Sequence, residues 1–209
     1  MQVGDIKIMN RTTIALAFAG LLTGVALGFV ALKNPSSTTD GQTTVSGRPT
    51  VGGPFSLIDN TGKRVTDKDY LGHYMLVFFG YTNCPDICPA GLQVMSAALD
   101  KLGKRADDIT PIFITLDPAQ DTPEKIAAYV KAFSPRLVGL TGSESDIAAT
   151  AKAYRVYYQK VPDEKNPKSY TIDHSAIFYL MGKDGKLLAP IPHTNDVDQL
   201  VAALDRALS

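Results

Sequence analysis

The chain has 209 residues, enough for one domain with a substantial core and a short additional segment. Its 44% hydrophobic and 20% charged content excludes a disordered chain, and 21 basic against 21 acidic residues give no sign of the concentrated positive surface that nucleic-acid binding requires. Only two cysteines occur, so the chain is not a disulfide-stapled scaffold and the closely spaced pair needs a chemical explanation.

Residues 1–11 form a short N-terminus ending in Arg11. Thr12 to Leu32 carries no charge, and 21 residues at about 1.5 Å each span roughly 30 Å, the thickness of a hydrocarbon core. Residues 12–32 therefore read as a single transmembrane anchor; no small-x-small cleavage site is apparent around Ala31-Leu32-Lys33. Gly20, Gly24 and Gly28 recur every four residues, a spacing that lets helices approach but is common in membrane helices anyway. Lys7 and Arg11 before the span favour a cytoplasmic residue 1–11 segment and an external C-terminal domain. Residues 33–52, rich in Ser, Thr and Gly, read as a flexible tether, and 53–209 as the folded domain.

Within that domain Phe55–Asp59 and a segment near Val65 flank the turn Asn60-Thr-Gly62, predicting an N-terminal hairpin. The apolar run Tyr74–Phe79 suits a strand covered on both faces. A loop over 80–89 leads into a helix expected from about Gly91 to Leu102, followed by a buried strand at Pro111–Leu116. Thr122-Pro-Glu-Lys starts a helix reaching about Phe133, because proline fits the first helical position. A short strand at Leu137–Leu140, a helix from Ser143 to about Tyr154, and strands at Tyr170–Met181 and Lys186–Ile191 around the Lys183-Asp-Gly185 turn come next. Asn195-Asp-Val-Asp caps a final helix. Buried strands alternating with helices imply an α/β fold, a central sheet flanked by helices. A cysteine motif closing the first buried strand and opening a helix is the thioredoxin-like arrangement.

The cysteines stand in Phe79-Gly-Tyr-Thr-Asn-Cys84-Pro-Asp-Ile-Cys88-Pro. Residues four apart on a helix are neighbours, and exposed N–H groups at a helix start favour the thiolate. Such a pair suits redox exchange or a soft ion such as Cu(I) or Zn(II). Two sulfurs leave a metal site incomplete. The best third donor is His174 in Thr171-Ile-Asp-His174-Ser-Ala-Ile-Phe-Tyr-Leu180, at the start of an apolar strand on the face of Ala176, Phe178 and Leu180. His73 and His193 read as exposed, and Met75, Met95 and Met181 as core residues. Asp117 and Asp121 follow a strand end and read as caps of the next helix, with lining the loop beside the site as the other reading.

The cysteine motif, Asp117-Pro-Ala-Gln-Asp-Thr-Pro-Glu124 and Asp173–Leu180 together resemble the Sco/SenC family over roughly Gly53 to the C-terminus. The resemblance implies a thioredoxin-like fold with a central mixed sheet, and copper, as Cu(I) and Cu(II), held by Cys84, Cys88 and His174. It implies a metallochaperone that serves the binuclear copper centre of cytochrome c oxidase. The expected partners are that oxidase's copper-binding subunit and a copper-donating chaperone. With the anchor, it places the domain in the periplasm, on a bacterial-type inner membrane. Gln120 departs from the arginine usual at that position. Dithiol thioredoxins have two residues between the cysteines and a facing cis-proline; here three residues intervene and Asp173-His174 takes the facing place. The alternatives are a thiol–disulfide oxidoreductase using Cys84 and Cys88 as a redox-active pair, and a redox or copper sensor. With no distal resolving cysteine, a peroxidase fits worse.

Overall fold

Short turns and buried apolar runs lay out the chain as the sequence suggests. In the computed structural model, which describes residues 50–164, 166 and 169–209, β1 (Ser56–Asp59) and β2 (Arg64–Thr66) form the N-terminal hairpin. Its turn is fixed by the Asp59 carboxylate, which accepts from the N–H groups of Thr61 and Lys63 at 2.8 and 2.9 Å. The segments 1–11 and 12–32 and nearly all of the tether at 33–52 lie outside the described residues. Among the described residues no helix is long and apolar enough to cross a membrane.

A 3-10 turn (Asp67–Tyr70) leads to β3 (Tyr74–Gly80), and α1 (Ile87–Leu102) returns the chain to β4 (Ile109–Thr115). Then follow α2 (Pro123–Lys131), β5 (Val138–Thr141), α3 (Glu144–Ala153), β6 (Tyr158–Pro162), β7 (Tyr170–His174), β8 (Ile177–Met181), β9 (Leu187–Pro192) and α4 (Val197–Leu208). Seven strands make one mixed sheet in the order β2-β1-β5-β4-β3-β8-β9, parallel at β3–β4–β5 and antiparallel elsewhere. This is the expected thioredoxin-like α/β architecture.

Six of the seven β3 residues are buried, as its unbroken apolar sequence requires. Phe78 packs on Phe178 of the neighbouring strand, ring centroids 4.9 Å apart, while Phe79 meets Tyr154 and Tyr179 at 5.3 and 5.9 Å. Each such aromatic burial contributes about 1.5–3 kcal/mol, so the central strand is a rigid platform for whatever its end carries. The buried face of α1 (Cys88, Gly91, Leu92, Met95, Ala98, Leu99, Leu102) repeats at helical spacing.

Three departures matter for the site. First, α1 begins at Ile87 rather than near Gly91, with Pro89 inside its first turn. A proline is accommodated there because the N–H it lacks has no intrahelical acceptor. Second, the stretch expected as one strand from Tyr170 to Met181 is two. β7 pairs only with β6, in a separate two-stranded sheet, while β8 pairs with β3 and β9. The hand-over falls between adjacent residues: Ser175 N–H donates to Tyr157 O on the hairpin side, and Ala176 O accepts from His193 N–H on the main-sheet side. His174 therefore ends β7 and does not continue the face of Phe178 and Leu180. Third, His193 is not exposed: its ring stacks on Phe178 at 16° and its Nε2 is buried. His73 is exposed and Met75, Met95 and Met181 lie in the core, as read from the sequence.

Candidate metal centre

β3 ends at Gly80, and the next six residues carry the chain into α1. Cys84 is half-buried in this loop and Cys88 is wholly buried in the first helical turn. The amide of Cys88, one of the N–H groups a helix start leaves without a backbone partner, donates to Cys84 Sγ at 3.4 Å. The sulfur thus takes the place of a capping oxygen; Asp86, the residue at the cap position, makes no side-chain cap bond.

Gly80 has a steric reason. A Cβ there would stand 2.6 Å from Cys88 Sγ and 3.0 Å from Phe113 Cε2. Gly80→Ala is expected to cost about 1–3 kcal/mol in denaturant unfolding and to displace the Cys88 sulfur. Unaltered stability would show that the two groups part without strain.

β7 brings His174 to the same place from a distant part of the chain. Its Nδ1 lies 3.1 Å from Ser175 O and its Nε2 lies 3.5 Å from Cys88 Sγ. Nδ1–H donating to the carbonyl leaves the Nε2 lone pair directed at the sulfurs, the usual way a ligand ring is oriented. Phe78 and Tyr81 meet the imidazole edge-on at 6.4 and 6.2 Å and hold its plane.

Cys84 Sγ, Cys88 Sγ and His174 Nε2 lie within 4.8 Å of one another. Bonds of about 2.0–2.3 Å from sulfur and nitrogen to a soft ion put donors about 3.5–4 Å apart, so the three fit one ion after a small contraction. All three residues singled out from the sequence converge here, and among the described residues they are the group of His, Cys, Asp or Glu with metal-holding geometry.

The two thiols are free and electrostatically unequal. The hydrogen bond from the Cys88 thiol holds Cys84 well below the ordinary thiol range; the N–H groups of Asp86 and Cys88 reinforce this against partial burial. That same bond, then burial, then the adjacent charge push Cys88 upward. Cys84 is therefore the standing thiolate. An ordinary thiol would lose about 75-fold in thiolate fraction between pH 8 and pH 6. Alkylation of Cys84 by iodoacetamide is instead expected to change only a few-fold over that range, with Cys88 unlabelled in the folded chain. A full loss at pH 6 would contradict the assignment.

An open groove of about 450 Å³ runs past Cys84 and His174, with Ile87 and Val161 on its apolar rim. An incoming ligand from another molecule can reach the centre through it.

Behind the donors lie two buried carboxylates. Asp121 does not cap α2; Thr122 does, its hydroxyl accepting from Lys125 N–H at 3.3 Å. Asp121 instead accepts from Thr82 N–H at 3.0 Å, Thr82 Oγ1 at 2.5 Å and Thr115 Oγ1 at 2.7 Å, with Lys125 Nζ at 3.2 Å. Asp117 receives the Tyr170 hydroxyl at 2.8 and 2.9 Å from its two oxygens and the Lys160 ammonium at 3.5 Å. The capping reading gives way to the other one considered, a lining beside the site. Thr82, Tyr170 and Lys160 have no recognisable sequence signal, because their carboxylate partners are 39 to 53 residues away and Lys160 lies in a strand that no pattern predicts.

A central mixed sheet whose first buried strand ends in a two-cysteine turn, faced by a histidine where a thioredoxin has its docking turn, defines a thioredoxin-like protein with a three-donor soft-metal centre. The SCO1/SenC family model matches residues 43–209, and the chain belongs to that family. It is 50% identical over 144 residues to the human protein called mitochondrial SCO1 homolog, covering 68% of this chain and 48% of that one. It is 36% identical over 185 residues to a SCO2-like protein of Rickettsia prowazekii, covering 87% and 90%. Copper-bound ScoI of Arabidopsis thaliana superposes with a TM-score of 0.71 at 42% identity, over 76% of this chain and 98% of that one. Copper-bound ScoI of Bradyrhizobium japonicum gives 0.68 at 44% identity, over 75% and 99%. The chain spans about half to three-fifths of the length of the first four curated relatives it matches.

Proposed function

We propose that the chain is a copper metallochaperone that holds Cu(I) or Cu(II) at Cys84, Cys88 and His174 and passes it to the binuclear copper centre of cytochrome c oxidase. The convergence of two sulfurs and one oriented imidazole beside an open groove carries this reading. Thiolates select a soft cation and the accessible flank permits its departure. The copper-bound relatives support the cargo, and a relative described as one of the Sco family of cytochrome c oxidase assembly proteins supports the destination. The same proposal includes a copper-donating chaperone upstream and the oxidase's copper-binding subunit downstream. It also includes a membrane anchor at 12–32 that holds the domain in the periplasm, on the strength of the uncharged run between Arg11 and Lys33. The test is copper titration of the reduced, purified full-length chain, followed by mixing with the apo copper-binding subunit. One Cu(I) per chain that transfers supports it; no binding, or binding without transfer, rejects carriage.

The unequal thiols favour a second activity at the same place. Cys84 thiolate attacks a partner disulfide, one partner sulfur leaves as a thiolate, and Cys88, on losing its proton, attacks Cys84 to release the second. The net change oxidises the pair to a disulfide and reduces the partner. This needs both cysteines and not the imidazole, so His174→Ala separates the two activities.

A further inference from the structure

The two carboxylates behind the centre face different donors, although they belong to one short turn. Gln120 and Asp121 N–H groups both donate to Asp117 O, at 3.0 and 2.9 Å, so Asp117 and Asp121 are held in fixed relation. Thr115 at the end of β4 ties the turn down: its hydroxyl accepts from Asp117 N–H at 2.9 Å and donates to Asp121. Thr141 of β5 adds a bond to Asp121 O at 2.8 Å. Both side chains are about 1% exposed.

From this base the turn reaches in two directions. Asp121 takes both the amide and the hydroxyl of Thr82, two residues before Cys84. Asp117 takes Tyr170 on β7, whose other end is His174, and Lys160 on β6, whose ammonium also sits over the Tyr170 ring at 4.8 Å. The β6–β7 hairpin shares no strand pairing with the main sheet, whose backbone bonds to this segment begin at Ala176, two residues beyond His174.

We propose that Asp117 and Asp121 are positioning residues: a single bracket that sets the separation between the cysteine loop and the histidine hairpin, and with it the affinity of the centre for copper. The inference rests on the copper-holding reading above. The carboxylates touch no donor atom; they act through Thr82 on one side and through Tyr170 and Lys160 on the other. Buried charge-assisted bonds of this kind are strong and directional, which suits them to fixing a distance. Outer partners of metal donors typically tune affinity by about 10–100-fold.

Because Asp121→Asn strands buried donors without an acceptor and can unfold the chain, the test varies the partners. Tyr170→Phe and Thr82→Val each remove one arm, Thr82→Ser restores the hydroxyl, and Leu204→Ala in α4 lowers stability without touching the bracket. Reduced full-length chains are titrated with Cu(I) against a chromophoric Cu(I) chelator, and the Cu(II)–thiolate absorption is recorded. The expected result is at least a tenfold loss of Cu(I) affinity and an altered Cu(II) spectrum for Tyr170→Phe and Thr82→Val, with Thr82→Ser and Leu204→Ala near the parent chain. Affinity and spectrum within twofold of the parent in both variants overturn the bracket. So does a loss confined to one arm, or an equal loss in Leu204→Ala or Thr82→Ser. A parent chain that binds no copper overturns the functional reading, and the bracket with it; parent binding with unaltered variants overturns the bracket alone.

Discussion

Changing either cysteine to serine is expected to eliminate tight Cu(I) binding, with affinity falling on the order of a thousandfold or more, beyond the range seen for outer-shell contacts. A hydroxyl matches neither the softness nor the ready ionisation of a thiol, and a single sulfur with one imidazole is a poor cage for a soft monovalent ion. The two substitutions differ in their side effects. Cys84 is half-buried and a serine hydroxyl there can still accept from the Cys88 amide, so little cost in stability is expected. Cys88 is fully buried, and a serine hydroxyl, with a shorter bond to Cβ and so a poorer reach to Cys84 and His174, costs about 1–3 kcal/mol there. Copper titration and denaturant unfolding of both variants separate the effects. Retention of one tightly held Cu(I) in either chain would refute the site.

His174→Ala is expected to be graded by oxidation state. Two thiolates alone still hold Cu(I), so its affinity should fall by about 10–100-fold rather than vanish. Cu(II) favours nitrogen donors, and its thiolate absorption should disappear. The fold should survive, because the ring is only half-buried and sits at the end of a hairpin. Chelator competition and the visible spectrum read the two predictions separately. Unchanged affinity for both ions would remove the imidazole from the centre and leave redox exchange as the surviving account. Conversely, a variant that still reduces a disulfide substrate while failing to bind Cu(II) would show the two chemistries sharing one dithiol.

The three donor residues were legible in the sequence because each stands in a distinctive local setting. Cys84 and Cys88 close a fully apolar strand, and His174 is a polar ring beside an apolar run. The central strands were legible for the same reason: Tyr74–Phe79 is an unbroken apolar stretch, and the strand read at Pro111–Leu116 carries the buried run Ile112–Ile114 within Ile109–Thr115. β6 escaped notice because Tyr158-Gln-Lys-Val-Pro is mostly exposed, with no alternation and a terminal proline. The division between β7 and β8 was hidden as well. Ser175 and Ala176 carry no glycine or proline signal, and the change of partner strand is a tertiary event. Asp117 and Asp121 illustrate the same limit. An aspartate after a strand suggests a cap; only the three-dimensional positions of Thr82 and Tyr170 show where the carboxylates are spent.

The change of sheet between Ser175 and Ala176 bears on the order in which donors let go. Cys88 is wholly buried in the first turn of α1 and cannot retreat without disrupting the core, whereas Cys84 is half-buried in the loop before it. The half-buried imidazole stands at the end of a two-stranded arm that contributes no rung to the seven-stranded ladder and is held to the body by the buried Ile172 and by Asp117. Of the ring and Cys88, the half-buried ring is thus the donor that an approaching nitrogen or sulfur would displace at the smaller cost to the core.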